Sequence, residues 1–244
     1  MEMQENVIRY SVIREKNPRE IVMLRGSGCK WKQCRFCDYH LDSSPDEKAN
    51  YELNKRELEK ITGIYGKLEV INSGSFCDLD ENTIQKILEV CRDKDITEVH
   101  FECHWMHRGE VDAFRRRFRE KGITLKIKIG VETFDHFMRQ NVMRKGMPED
   151  DPAVIAAFFD EACFLFGLTG QTKESMEKDI ETGLSCFERI CLNIMVENTT
   201  EIKPDPDVIR TFAEELYPKY KDNPRVDILF HNTDFGVGGE DYAK

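Results

Sequence analysis

The stretch Ile21-Val-Met-Leu24-Arg-Gly26-Ser-Gly28-Cys29-Lys-Trp-Lys-Gln-Cys34-Arg-Phe36-Cys37 decides the reading of this 244-residue chain. Four apolar residues read as a buried strand, and two glycines open a loop directly after it. Three cysteines then fall within nine residues at C-x4-C-x2-C spacing. Thiolates gathered so closely repel one another unless a metal or cluster neutralises them, so Cys29, Cys34 and Cys37 read first as a ligand set. Three ligands on one short loop suffice for three irons of a four-iron cluster and leave the fourth iron open to a small molecule.

Outward from that loop, apolar runs at 68–71, 99–101, 125–129, 162–166, 190–195 and 226–230 predict further short strands. Helical patterns fall between them at 54–62, at 111–121 before Gly122, and at 134–144, 153–159, 173–186 and 206–216. Asp80 is placed to cap another helix, whose Ile84, Ile87, Leu88 and Cys91 recur at helical spacing. Such alternation predicts parallel strands with right-handed crossovers, in an open doubly wound sheet or a partial or full barrel. Functional groups then belong at the C-terminal ends of the strands, where Cys29, Gly74, Glu102, Glu132, Gly167 and Glu197 all fall. With no linker, repeat or low-complexity tract, the chain reads as a single α/β domain. Residues 1–20 form an arm, 21–200 the core, and 201–244 a C-terminal helix, strand and substrate lid.

Composition narrows the function. A net charge of -10 argues against a nucleic acid polymer as partner, while leaving room for a mononucleotide. No run of about 18 apolar residues is present, so no membrane span is expected. Nine cysteines and no secretory-signal pattern point to a reducing, cytoplasmic setting without a disulfide framework.

The cysteine triad after the first strand, with Phe36 before its last member, resembles the radical S-adenosylmethionine (SAM) superfamily. The usual spacing there is C-x3-C-x2-C, so the additional residue between Cys29 and Cys34 is a departure that bears on loop geometry. Ser73-Gly-Ser-Phe76 resembles the superfamily's glycine-rich segment, which receives the SAM amino group. Ile129-Gly-Val-Glu-Thr133 resembles the end of its fourth strand, and Arg144-Lys-Gly146 follows with a cation for the SAM carboxylate. Phe166-Gly-Leu-Thr-Gly170 looks like the loop near the adenine. These signals span residues 21 to 200. The resemblance implies a partial (β/α)6 TIM-like barrel with a 4Fe-4S cluster on Cys29, Cys34 and Cys37. It further implies SAM (S-adenosyl-L-methionine) contacts at Phe36, Gly74, Ser75, Glu102, Lys128, Glu132, Arg144 and Gly167. The implied chemistry is reductive cleavage of SAM to a 5′-deoxyadenosyl radical that abstracts hydrogen, fed by a donor such as flavodoxin or ferredoxin.

The segment running from Cys29 to Asp38 and the short single-domain architecture look like the queuine lyase type of bacterial queuine salvage. That likeness implies hydrogen abstraction from the ribose of a small nucleotide, queuosine 5′-phosphate, followed by loss of the base as queuine. Substrate contacts are expected at Lys30, Asp38, His104, Trp105, His107, Asn232 and Asp234. Asp38 or Asp234 would face the cationic secondary amine of queuosine, and Arg25, Lys30 or Lys32 its phosphate. His104, Trp105 and His107 would form an aromatic, hydrogen-bonding rim.

Other readings stay open at this point. Another radical SAM reaction, tRNA base modification or glycyl-radical activation, would use the same core. A zinc-binding scaffold without enzymatic activity would recruit Cys103, His104 or His107 as fourth ligand. A plant-type ferredoxin shares the opening spacing and would nominate Cys77.

Overall fold

In a computed structural model, residues 7–230 are described. Eight strands lie side by side in strict chain order in one sheet. They are β1 Tyr10–Ile13, β2 Arg19–Leu24, β3 Lys67–Asn72, β4 Glu98–Glu102, β5 Thr124–Glu132, β6 Glu161–Phe166, β7 Arg189–Ile194 and β8 Val226–Leu229. From β2 to β8 every pairing is parallel, and the sheet curls into a half-barrel, as the strand–helix alternation and the resemblance led one to expect. The arm expected over residues 1–20 holds something more. Its residues 10–13 form β1, antiparallel to β2. Glu20 fastens this edge, accepting from the Tyr10 hydroxyl and from the Thr62 and Gly63 amides.

Helices fill the outer layer between strands: α1 Glu47–Leu58, α2 Glu81–Asp93, α3 Val111–Arg119, α4 Pro152–Ala156, α5 Lys173–Cys186, α6 Pro206–Thr211 and α7 Tyr217–Tyr220. Asp80 caps α2 as expected, its carboxylate accepting from Thr83 N at 2.9 Å. Helix α1 begins well before the expected residue 54, because Asp46, in a stretch that reads as turn, caps it through Ala49 N. Apolar residues such as Val22, Leu24, Ile87, Phe118 and Met176 make the core between sheet and helices. Among the described residues, no helix is long and apolar enough to cross a membrane.

Strand alternation sends the other set of side chains inward. Many of them are charged or titratable. Arg19 on β2 bonds Glu69 on β3 and lies 3.5 Å from Asp227 on β8, spanning the open side of the sheet. Lys128 on β5 also bonds Glu69, and His100 on β4 sits between Glu98 at 2.9 Å and Glu161 at 3.2 Å. A buried network of this kind is tolerated only because each charge has a partner.

Candidate active site

Beyond that network two adjoining cavities open. The first, of about 380 Å³, is walled by the cysteine loop, the segment after β3 and the ends of β4 to β7. The second, of about 370 Å³, is walled by inward positions including Arg19, Ile21, Glu69, Lys128 and Asp227. Both lie within the size range of small-ligand sites. They meet at Asp38, Tyr39, Asn72, Ser73, Glu102, Cys163 and Asn193, which line both.

Cys29, Cys34 and Cys37 are half-buried on the wall of the first cavity. Burial pushes the Cys34 thiol up to about 11 and the Cys37 thiol to about 12. These groups therefore stay protonated unless a cation enters with them. Among the described residues, the one group of three metal-type donors closing to within 4.8 Å lies elsewhere. A single tetrahedral zinc would draw its sulfurs to about 3.8 Å of one another. A wider thiol set on a loop beside an open cavity suits a cluster whose thiolates bind separate irons.

The loop is held from three sides. Cys29 N donates to Ser73 O at 3.1 Å, and Arg35 N to Met143 O at 3.0 Å. Trp31 Nε1 donates to Arg144 O at 2.8 Å, while its ring stacks on His104 with centroids 5.9 Å apart. Two glycines permit the close packing. A Cβ on Gly74 would come within 2.2 Å of Asp78 Oδ2 and 3.0 Å of Cys29 N; one on Gly146, whose φ is +68°, would meet the Trp31 ring at 2.3 Å.

On the opposite wall β5 carries a bulge between Gly130 and Glu132, and Glu132 takes a φ of 67°, in the left-handed region that non-glycine residues seldom occupy. Its carboxylate lines the first cavity and pairs with Lys145 at 2.6 Å. Lys145 Nζ also lies 5.6 Å from the Phe36 ring centroid. His104 receives Met106 N on Nδ1 and therefore donates Nε2–H to Lys145 O at 2.8 Å. Burial, and then the charge of Lys145, lower its pKa to about 4, so it stays neutral.

The Glu102 carboxylate, at the junction, makes no hydrogen bond among the described residues. Burial raises its carboxyl to about 7, Glu69 and Glu132 add to the rise, and Lys128 and Lys145 oppose it. Asn72 donates Nδ2 to Ser75 O at 3.0 Å, but its buried Oδ1 has no partner within the described protein. Asp38 accepts from Thr199 N and Oγ1 at 3.1 and 3.0 Å. The junction thus presents oxygen acceptors to whatever fills the cavities.

Several expected site residues fall elsewhere. Ser75 is buried and spends its hydroxyl accepting His104 N at 2.9 Å. Lys128 points inward, but to Glu69 and the second cavity and not toward Glu132. Arg144, Gly167, Arg25, Lys30 and Lys32 line neither cavity. The cation in the wall of the first cavity is Lys145, one residue after Arg144. Trp105 and His107 turn away from the expected rim: Trp105 packs on Phe158 and Phe159, and His107 bonds Glu110. Asn232 and Asp234, expected in a lid, lie outside the described residues.

No protein-family model and no curated protein matches the chain. Among solved structures, the queuine lyase from Clostridium spiroforme bound to SAM and queuine is 42% identical, with a TM-score of 0.90. The match covers 96% of this chain and 100% of that chain. A Bacillus subtilis protein described as a sporulation-specific glycosylase aligns at 11% identity and a TM-score of 0.30, over 82% of this chain and 74% of that one. That likeness carries no argument.

Proposed function

The chain belongs to the queuine lyase family of radical SAM enzymes, and from that premise we propose that it releases queuine from queuosine 5′-phosphate. It is an enzyme of glycosidic bond cleavage whose cofactors are a 4Fe-4S cluster and SAM. When bound, these cofactors supply a 5′-deoxyadenosyl radical that abstracts hydrogen.

In this reading the cavity beside Cys29, Cys34 and Cys37 takes the cluster and SAM, and the cavity above Arg19, Glu69 and Lys128 takes the nucleotide. The observation that carries it is their meeting at Glu102 and Asn72, which brings cofactor and substrate side by side. Phe36, Gly74, Glu102 and Glu132 line that first cavity, and in this reading they contact SAM. Lys145 takes the part expected of Arg144, a cation for the methionine carboxylate. Asp38 and Glu102 offer carboxylates to the secondary amine of the base, and Asn72 Oδ1 a further acceptor. Trp31, Gly146 and His104 brace the cysteine loop against the wall, which restricts water and stray hydrogen donors near the reacting C–H bond. A small-molecule substrate, a cytoplasmic setting and a donor such as flavodoxin or ferredoxin complete the proposal, without a nucleic acid polymer.

The test is anaerobic incubation of cluster-loaded protein with SAM, dithionite and queuosine 5′-phosphate. Free queuine that forms only when all three are present supports the reading. Absence of queuine while SAM is still cleaved would reject the substrate and leave the cofactor chemistry standing.

A further inference from the structure

We infer that Cys77, His107 and Glu110 form a second metal site, for a zinc-class divalent cation, which clasps the ends of β3 and β4 together. Cys77 lies in the turn Phe76–Asp78, separated from the end of β3 by three residues, and His107 and Glu110 lie in the turn Trp105–Glu110 after β4. Their ligand atoms fall within 4.8 Å of one another. Cys77 Sγ donates to Glu110 Oε2 at 2.8 Å, and His107 Nδ1 lies 3.1 Å from Glu110 Oε1. One carboxylate thus gathers a thiol and an imidazole on its two oxygens.

A second observation points the same way. The Asp78 side chain, 4% exposed, has one oxygen on Ser75 N at 2.7 Å and the other, Oδ1, without a partner in the described protein. A buried, half-satisfied carboxyl group therefore follows Cys77 directly in the same turn. A divalent cation would balance the Cys77 thiolate and the Glu110 carboxylate and offset the charge of Asp78. On binding, the thiol proton leaves to solvent and the imidazole proton moves to Nε2, freeing Nδ1. Thiolate, imidazole and carboxylate together are a borderline donor set that suits zinc, with a fourth position for water. Through Asp78, Ser75 and the Ser75–His104 bond, the ion would stiffen the wall of the first cavity without touching a reacting atom.

The probe is zinc alone, added to cluster-loaded protein and followed by dialysis against a weak chelator. About one zinc per chain is expected, with iron unchanged and a zinc X-ray absorption spectrum of one sulfur and nitrogen or oxygen neighbours. Cys77→Ser and Glu110→Gln should each weaken zinc binding at least tenfold while iron stays. Glu110 is 58% exposed, so its replacement leaves the fold intact. A Cys29/Cys34/Cys37→Ala chain, which lacks the cluster ligands, should still hold its zinc. Zinc that is absent from the wild type, that persists in both Cys77→Ser and Glu110→Gln, or that vanishes in the triple variant would overturn the inference. None of these outcomes bears on queuine release.

Discussion

Lys145 Nζ stands 2.6 Å from Glu132 Oε1 in the wall of the cysteine-side cavity, with the two side chains only 11% and 8% exposed. Burial pulls the lysine pKa down, but the Glu132 charge more than offsets it, so the ammonium is retained. Removing one member of such a pair costs about 3–5 kcal/mol, because the other charge is left buried alone. Lys145→Met should therefore lower the melting temperature and weaken SAM binding at least tenfold, with the iron content unchanged. Equilibrium dialysis with labelled SAM reads the affinity. Lys145→Met with Glu132→Gln should recover stability without recovering SAM affinity.

Glu102 gives a pH signature. Its carboxyl titrates at about 7, against an ordinary 4.5, so the folded chain keeps a proton that the unfolded chain has lost. Its contribution to stability is thus present below the unfolded pKa and lost as pH rises through 7. At 1.36 kcal/mol per unit the loss is about 3 kcal/mol as a ceiling. Glu102→Gln should flatten the fall in stability between pH 5 and 7, as followed by thermal melts. The same variant should remove an apparent pKa near 7 from the profile of kcat/KM.

The second cavity gives the opposite sign. Burial would raise the Glu69 pKa, but Arg19 and then Lys128 hold it well below the ordinary range. That stability is present above the unfolded carboxylate pKa and is lost as pH falls toward the folded one. Lys128→Met removes one of the two cations, so acid unfolding should begin at higher pH than in the wild type. Chemical denaturation at pH 7 should show a loss of about 3 kcal/mol, in line with a broken buried pair.

Much of this architecture is legible in the sequence, for identifiable reasons. The strands are short apolar runs between turn residues. Asp80 announces α2 by its place before a helical apolar period, and α5 matches its expected bounds, 173–186. Cys29, Cys34, Cys37, Phe36, Gly74, Glu102, Glu132, Asp38 and His104 reach the cavities because strand ends and adjacent loops converge there. Lys145 was not legible. Arg144 and Lys145 are adjacent cations, and which one turns inward depends on a π-helical turn at Met138–Val142 and on the left-handed φ of 53° at Arg144. Neither feature has a sequence period. Trp105 and His107 sit at a strand end as expected, but the six-residue 3-10 turn that follows β4 rotates them into the core. Strand β1 is short and half-buried, so it lacks the apolar run that reveals the others.

Gly146 tests the bracing of the cysteine loop. Gly146→Ala places a methyl group against the Trp31 ring, at a φ of +68° that disfavours any side chain. Overpacking of this kind costs about 1–3 kcal/mol. The variant should melt several degrees lower, and the cluster should bleach faster in air, as followed by the visible absorption. Trp31→Phe should fall between wild type and Gly146→Ala, since it keeps the ring but loses the bond to Arg144 O.

The central claim, that the radical formed in the first cavity takes hydrogen from the ribose of a nucleotide in the second, is tested most directly by isotope transfer. Queuosine 5′-phosphate carrying deuterium on its ribose carbons would be turned over anaerobically, and both products weighed by mass spectrometry. The account predicts deuterium in 5′-deoxyadenosine, formed together with queuine, and none when only the base is labelled. Queuine released without SAM cleavage, or 5′-deoxyadenosine free of ribose deuterium, would contradict it.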